Sequence, residues 1–171
     1  MPYYSMSKGA MRMEIMKLAS NHRKEVNSYI DKEWGNPIVS RGNIINTLNL
    51  PGFVAVDIEG VTGAILYQIK NNECEIVVLY SLKQGIGVGT KLIYEVIETA
   101  REHACKRTWL ITMNDNTHAI RYYQRRGFSL RAVHINAFKN TLCIKGEGGD
   151  SLVLGIDDIP ILHEFEFEII L

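Results

Sequence analysis

Cysteine is scarce in this chain of 171 residues, and what there is lies scattered: Cys74, Cys105 and Cys143. An odd set with no C-x-x-C pair and no cysteine–histidine spacing for zinc argues against a disulfide scaffold and a zinc module. The histidines His103, His118, His134 and His163 share no spacing that makes a metal site. The expectation is therefore no metal, and free thiols in a reducing cytoplasm. Charge of one sign is lacking too. Nineteen basic and nineteen acidic side chains cancel, so no basic excess calls for nucleic acid. No apolar run exceeds strand length, which leaves no transmembrane helix and no membrane partner. Residues 1–10 lack the apolar core of a signal peptide and read as a flexible arm. There is no internal repeat and no linker.

What is present is a chain with 46% hydrophobic and 22% charged residues, the balance of a folded domain with a real core. One domain is expected over 11–171. A strand is expected at 12–18. Asn21 then caps a helix to about residue 33, with Val26, Tyr29 and Ile30 as its buried stripe. Gly35-Asn36-Pro37 ends that helix, and Ser40-Arg41-Gly42 is a turn. Residues 43–50 read as a short helix with Ile44, Ile45 and Leu48 facing inward. Three strands follow, at 53–57, 61–70 and 73–80. They are joined by the tight turns Glu59-Gly60 and Asn71-Asn72, which implies an antiparallel meander.

The stretch after that meander organises the chain. Gln84-Gly85-Ile86-Gly87-Val88-Gly89-Thr90 opens a helix over 91–104, with Leu92, Ile93, Val96, Ile97, Ala100 and Ala104 on one face. Strand, glycine turn and helix form a phosphate-binding layout. Backbone N–H groups and the positive end of the helix dipole face the turn, and glycine lets an anion approach the backbone. A Walker loop does not fit, because Gly-Thr-Lys stands where Gly-Lys-Thr is required. A dinucleotide fingerprint does not fit either, because its third glycine comes one residue early. A buried strand at 107–113 follows, parallel to 73–80 across the helical crossover. Asn116 caps a helix over 117–126, closed by Gly127. Residues 128–138 read as a strand and 139–158 as a long mobile loop. The last segment alternates cleanly, with Ile161, His163, Phe165, Phe167, Ile169 and Leu171 on one face. Leu162, Glu164, Glu166, Glu168 and Ile170 take the other. That pattern reads as a half-exposed strand paired with 128–138.

Two motifs now stand in order. Gln84 to Gly89 fits Q/R-x-x-G-x-G/A, and Asn116-Thr117-His118-Ala119-Ile120-Arg121-Tyr122-Tyr123-Gln124-Arg125-Arg126-Gly127-Phe128 fits N-x-x-A-x-x-x-Y-x-x-x-G-F. With a helix and a buried strand between them, the chain resembles the GCN5-related N-acetyltransferase (GNAT) family. The resemblance is tight over 73–128 and looser outside it. It implies a single α/β (α+β) domain. Its mixed central sheet has an antiparallel N-terminal meander and splayed parallel central strands, flanked by helices.

The resemblance also implies a function. An acetyl group would pass directly from acetyl-CoA to a primary amine, both bound together, the acceptor being a small molecule or a peptide. Gln84, Gly85, Ile86, Gly87, Val88, Gly89 and Thr90 would hold the pyrophosphate of acetyl-CoA. Leu79, Tyr80 and Ser81 would bond the pantetheine arm, although the loop 81–84 is shorter than the family's common pattern and lacks its proline. Tyr123 would protonate the departing thiolate, a phenol near pKa 10 being a competent donor to a thiol near 8.5. Asn116 either caps its helix alone or also touches the coenzyme. Glu75, four residues before Leu79 and read as sharing its face, is either the base that takes the amine's proton or a solvated strand residue. Trp34 and Arg41 lie in the region that shapes the family's acceptor pocket, where Arg41 either holds an acceptor carboxylate or, the reading preferred, is a surface or structural arginine. Glu164, Glu166 and Glu168 read as a wetted strand face that would otherwise attract a cationic amine. A sensor or regulatory module that binds acyl-CoA without transfer is the other reading. C-terminal edge strands would allow a homodimer.

Overall fold

The computed structural model describes residues 13–148 and 152–171. The arm expected over 1–10 lies outside them. Along the chain run β1 (Glu14–Lys17), α1 (Ser20–Trp34), β2 (Ile38–Ser40), β3 (Asn43–Ile45), β4 (Gly52–Asp57), β5 (Gly60–Lys70) and β6 (Glu73–Ser81). Then come α2 (Val88–Glu102), β7 (Arg107–Met113), α3 (Thr117–Gln124), β8 (Ser129–His134), α4 (Ala137–Lys145) and β9 (Glu164–Ile170). One seven-stranded sheet has the order β1-β4-β5-β6-β7-β9-β8, and β2 with β3 makes a separate hairpin. The mixed α/β architecture is the expected one. Every neighbouring pair in the large sheet is antiparallel except β6–β7.

Helices cover both faces. On α2, Val88, Leu92, Ile93, Val96 and Ala100 are buried against Phe53, Ala55, Ile65, Cys74, Ile76, Leu110 and Phe167. On the other face, Val26 and Ile30 of α1 pack on Val54, Ala64, Leu66, Val78 and Tyr80. Each of these large aliphatic side chains contributes roughly 1.5–3 kcal/mol by leaving water. The α1 stripe matches expectation, but the helix begins at Ser20 with Ala19 as its uncapped N-cap, not at Asn21.

Two irregularities shape the centre of the sheet. The β5–β6 register jumps from Leu66↔Val78 to Tyr67↔Ile76, so Val77 is an extra residue, a β-bulge. The bulge reverses the alternation along β6. Cys74, Ile76 and Leu79 lie under α2, while Val78 and Tyr80 lie under α1. Glu75 therefore sits on the opposite face from Leu79, contrary to the reading by simple alternation. The second irregularity is a splay. Parallel pairing of β6 with β7 runs from Glu73↔Arg107 to Ile76↔Leu110 and stops, leaving 77–81 and 111–113 to diverge.

Three further expectations are corrected. Residues 43–50 are not a helix. Their β-branched start pairs Ile45 with Ile38 and Ile44 with Val39 in the hairpin, and Ile44 and Leu48 are exposed. The expected loop 139–158 contains most of α4, while the strand expected over 128–138 is confined to β8. The last strand is not half-exposed. It lies between β7 and β8, and the carboxylates of Glu164 and Glu166, 0% and 3% exposed, are covered by other groups rather than by water. The sheet edge on that side is β8, not β9.

Candidate active site

The glycine turn is built for close approach. Gly85 and Gly87 have φ of 78° and 81°, a region that suits glycine. Gly87 is the N-cap of α2 and no side chain caps this end. The helix's first internal bond is Lys91 N–H to the Gly87 carbonyl, 3.1 Å. The N–H groups of Val88, Gly89 and Thr90 therefore have no intrahelical acceptor and sit at the positive end of the dipole. Gly89 has another constraint: a Cβ there would fall 2.4 Å from the Tyr122 hydroxyl. That hydroxyl is buried with no hydrogen-bond partner among the described residues.

The short loop before the turn is firmly tied. Leu82 N–H donates to the Thr62 carbonyl at 2.8 Å and Ser81 Oγ to the Lys83 carbonyl at 2.9 Å. Lys83 Nζ donates to Asp57 at 2.7 Å and also to Glu59. The Lys83 hydrogen bond holds the Asp57 carboxyl below its ordinary range.

A groove of about 840 Å³ runs along this turn. Leu79, Tyr80, Ser81, Gln84, Gly85, Gly87, Val88, Gly89 and Thr90 line one side, and His118, Ala119, Tyr122, Tyr123 and Arg126 the other. Of the residues expected along this turn, only Ile86 falls outside the lining; it is 55% exposed.

A second cavity, of about 510 Å³, opens between the splayed strands, the β2–β3 hairpin and α4. The two spaces share Leu79, Ala119 and Tyr123. Tyr123 is wedged edge-on between Tyr122 and Phe128, with ring centroids 5.4 and 5.5 Å away. Burial pushes its phenol up, so it keeps its proton at neutral pH.

Glu75 lines the second cavity and is 6% exposed. Its Oε1 accepts from Ser40 Oγ and its Oε2 from Gln68 Nε2, each at 2.6 Å. Burial raises its pKa above the ordinary carboxylate value despite these two bonds. Trp34 also lines this cavity. Asn116 does so too, but its Oδ1 caps α3 by accepting from Ala119 N–H at 3.0 Å.

Arg41 is elsewhere. It pairs with Glu166 at 3.5 Å, stacks over Trp109 at 5.1 Å, and its N–H donates to Glu164 at 3.0 Å. The carboxylates expected on a wetted face are thus the anchors of the hairpin turn. Glu166 also takes Arg107 at 2.7 Å and His134 at 2.9 Å. Burial pushes its carboxyl up, but these hydrogen bonds and the Arg41 charge outweigh it, and the pKa lies below the usual value. Glu168 is held by Arg107 at 2.8 Å.

The sequence reading passed over several lining residues. Arg126, just beyond α3, is one of them. It donates to Thr90 Oγ1 and to the Tyr122 carbonyl, each at 2.9 Å, and covers the Tyr122 ring. Its spacing of four from Tyr122 was the available signal. Phe138, Thr141, Leu142 and Lys145 of α4 recur at helical spacing and all line the second cavity.

Residues 20–128 match the family model described as the acetyltransferase (GNAT) family. The uncharacterized protein YdhI of Bacillus subtilis is 40% identical over 122 residues, covering 70% of this chain and 76% of that protein. YxbD of the same organism, also uncharacterized, is 34% identical over 155 residues, 89% of this chain and 95% of its own length. Among solved structures, a GNAT family acetyltransferase from Elizabethkingia anophelis with acetyl-CoA bound superposes with a TM-score of 0.66 at 15% identity. That match covers 93% of this chain and 98% of the other.

Proposed function

This chain belongs to the acetyltransferase (GNAT) family, and from that premise we propose that it transfers an acetyl group from acetyl-CoA to a primary amine by direct attack. The observation that carries this reading is the meeting of two spaces at Tyr123, one lined by the bare N-terminus of α2 and the other by buried Glu75. The groove fits the coenzyme on its own terms. Its glycine cradle would be filled by a Cβ at Gly89, and the buried Tyr122 hydroxyl beside it lacks a partner among the described residues.

The N–H groups at 88–90 would hold the pyrophosphate, and the stretch of β6 from Leu79 to Ser81, paired with β5 but open on the side of β7, would align the pantetheine arm. Acetyl-CoA supplies an acyl carbon activated as a thioester. Glu75 accepts a proton from the amine, so that its nitrogen lone pair is free to attack that carbon. The C–N bond forms and the C–S bond breaks; the Tyr123 hydroxyl gives its proton to the leaving sulfur, and the resulting phenolate takes the extra proton still on the new amide nitrogen, so that one proton in all is released, through Glu75. The largest part of the gain comes from holding both reactants in one place.

The test is release of free thiol from acetyl-CoA with a panel of amines. Replacing Tyr123 with Phe is expected to lower kcat about 100-fold with little change in the KM for acetyl-CoA. Tight coenzyme binding with no turnover on any amine identifies a sensor instead.

A further inference from the structure

A carboxylate that takes a proton from a substrate has to be held in place and kept deprotonated beforehand. Burial works against the second need. Glu75 meets it with two donors from two different elements. Gln68 on β5 is its direct cross-strand partner, and Gln68 Nε2 donates to Oε2 at 2.6 Å. An amide turned the other way would set oxygen against carboxylate oxygen. Ser40, the last residue of β2, donates from Oγ to Oε1 at 2.6 Å and lines the second cavity beside Glu75. Each carboxylate oxygen can accept two bonds, so a site on each remains for an incoming amine.

The two donors are seated differently. Gln68 belongs to a strand paired on both sides within the large sheet. Ser40 stands on the separate hairpin, next to a turn in which Arg41 has a φ of 50°. That turn is clamped by β9. Glu164, fully buried, accepts the Arg41 N–H at 3.0 Å, and Glu166 pairs with the Arg41 guanidinium at 3.5 Å. Without the clamp, nothing on the turn itself fixes Ser40 Oγ at its distance from Oε1.

We propose that Gln68 and Ser40 are the positioning residues of Glu75, holding its carboxylate aimed and deprotonated, Gln68 as a fixed part of the sheet and Ser40 only while Glu164 seats the hairpin. The inference rests on the reading of Glu75 as the base and deepens it. Other charges act on the same carboxylate. Lys70 on β5 and Arg41 on the hairpin favour its ionised form. The Cys74 thiol adjoins it, and Asp115, Tyr123, Lys145 and Glu147 share its cavity. Past its β7 neighbour Trp109 lie Arg107 and Glu166, paired at 2.7 Å. None of these groups is replaced in Gln68→Leu or Ser40→Ala.

The experiment is an NMR titration of the Glu75 side-chain carboxyl in the full, isotopically labelled chain, with the signal assigned by its loss in Glu75→Gln. Gln68→Leu and Ser40→Ala are each expected to raise the midpoint by about one pH unit, the worth of a hydrogen bond to a charged group. Ser40→Thr, which keeps the hydroxyl, restores the original midpoint. Glu164→Ala raises it as far as Ser40→Ala does, and the two together raise it no further, whereas Gln68→Leu and Glu164→Ala add. Glu164→Gln, which removes the charge but keeps an oxygen for the Arg41 N–H, does not raise it. Should Ser40→Ala fail to bind acetyl-CoA, Ser40→Cys, close in shape and a weak donor, takes its place. An unmoved midpoint in either donor variant overturns the inference. So do shifts of Ser40→Ala and Glu164→Ala that add, or a Glu164→Gln shift as large as that of Glu164→Ala. The titration needs no acceptor, so the two readings fail separately. Unmoved midpoints beside thiol release from acetyl-CoA overturn this inference alone. The expected shifts with no thiol released by any of a panel of amines leave a positioned carboxylate but overturn its use as a base, and the transfer reading with it.

Discussion

Glu75, the proposed base, would link stability and catalysis through one side chain. Burial raises its pKa, so the folded state favours its protonated form. Its contribution to stability is complete below the ordinary carboxylate pKa and is lost as pH rises through the raised folded value. A base works only when deprotonated, so activity has the opposite sign. kcat/KM should fall as pH drops through that same raised value. Glu75→Gln is expected to abolish this acid limb and to weaken the dependence of Tm on pH across the same window, both read in parallel pH series. Gly89 offers a second single-residue test. A Cβ there meets the Tyr122 hydroxyl at 2.4 Å, so Gly89→Ala should displace that ring and raise the KM for acetyl-CoA about 10-fold, with kcat at saturation changed much less. At this scale the sequence was informative where the backbone itself decides the geometry. Gly85, Gly87 and Gly89 announce their roles because a side chain would be strained or obstructed there. It was uninformative about orientation. One extra residue at Val77 reverses the face of everything beyond it, and nothing in Glu75-Ile76-Val77-Val78 marks the bulge.

At the scale of elements, two pieces are placed by one carboxylate. Glu164 accepts the Arg41 N–H at 3.0 Å and the Thr141 hydroxyl at 3.3 Å. It thereby joins the hairpin and α4, two walls of the second cavity, to the sheet. Glu164→Ala leaves the part-buried Arg41 N–H and the buried Thr141 hydroxyl without this acceptor. It should cost about 1–3 kcal/mol in denaturant unfolding and raise amine KM more than the KM for acetyl-CoA. The hairpin and α4 were also the elements least legible beforehand. Ile44 and Ile45 suit either a helix stripe or a strand pair, and only the partner strand at Ile38–Ser40 decides. For α4 the spacing of Phe138, Thr141, Leu142 and Lys145 was a valid helix signal. Gly146 looked like the middle of a loop, yet with φ 76° it is the helix's closing residue, and Glu147 N–H returns to the Leu142 carbonyl at 2.9 Å. By contrast α2 and α1 were clear, because long amphipathic stripes leave little choice.

On the proposed reading the whole molecule divides into a coenzyme half and an acceptor half around the parallel pair β6–β7. The coenzyme half was largely readable, since β4, β5, β6 and α2 follow one another in the chain and pair as neighbours. The acceptor half was not, because it is assembled from the hairpin, α4 and β9, which are far apart in sequence. β9 in particular lies between β7 and β8 but follows both of them along the chain. That order has a consequence for how the protein comes into being. Until β9 arrives, β7 has no antiparallel neighbour. Arg41, Arg107 and His134 meanwhile lack the Glu166 carboxylate that later balances them. Ser40, carried on the turn that Glu164 anchors, has no reason to meet Glu75. Long-range strand insertion of this kind is slow compared with the closing of a local meander. On refolding from denaturant, acetyl-CoA binding is expected to return before amine turnover, with the delay tracking the docking of β9. Simultaneous recovery in a stopped refolding series would count against it. The enzyme would thus acquire its donor site as an early, locally built structure and its acceptor site as the final act of folding, so that no half-made chain binds both substrates.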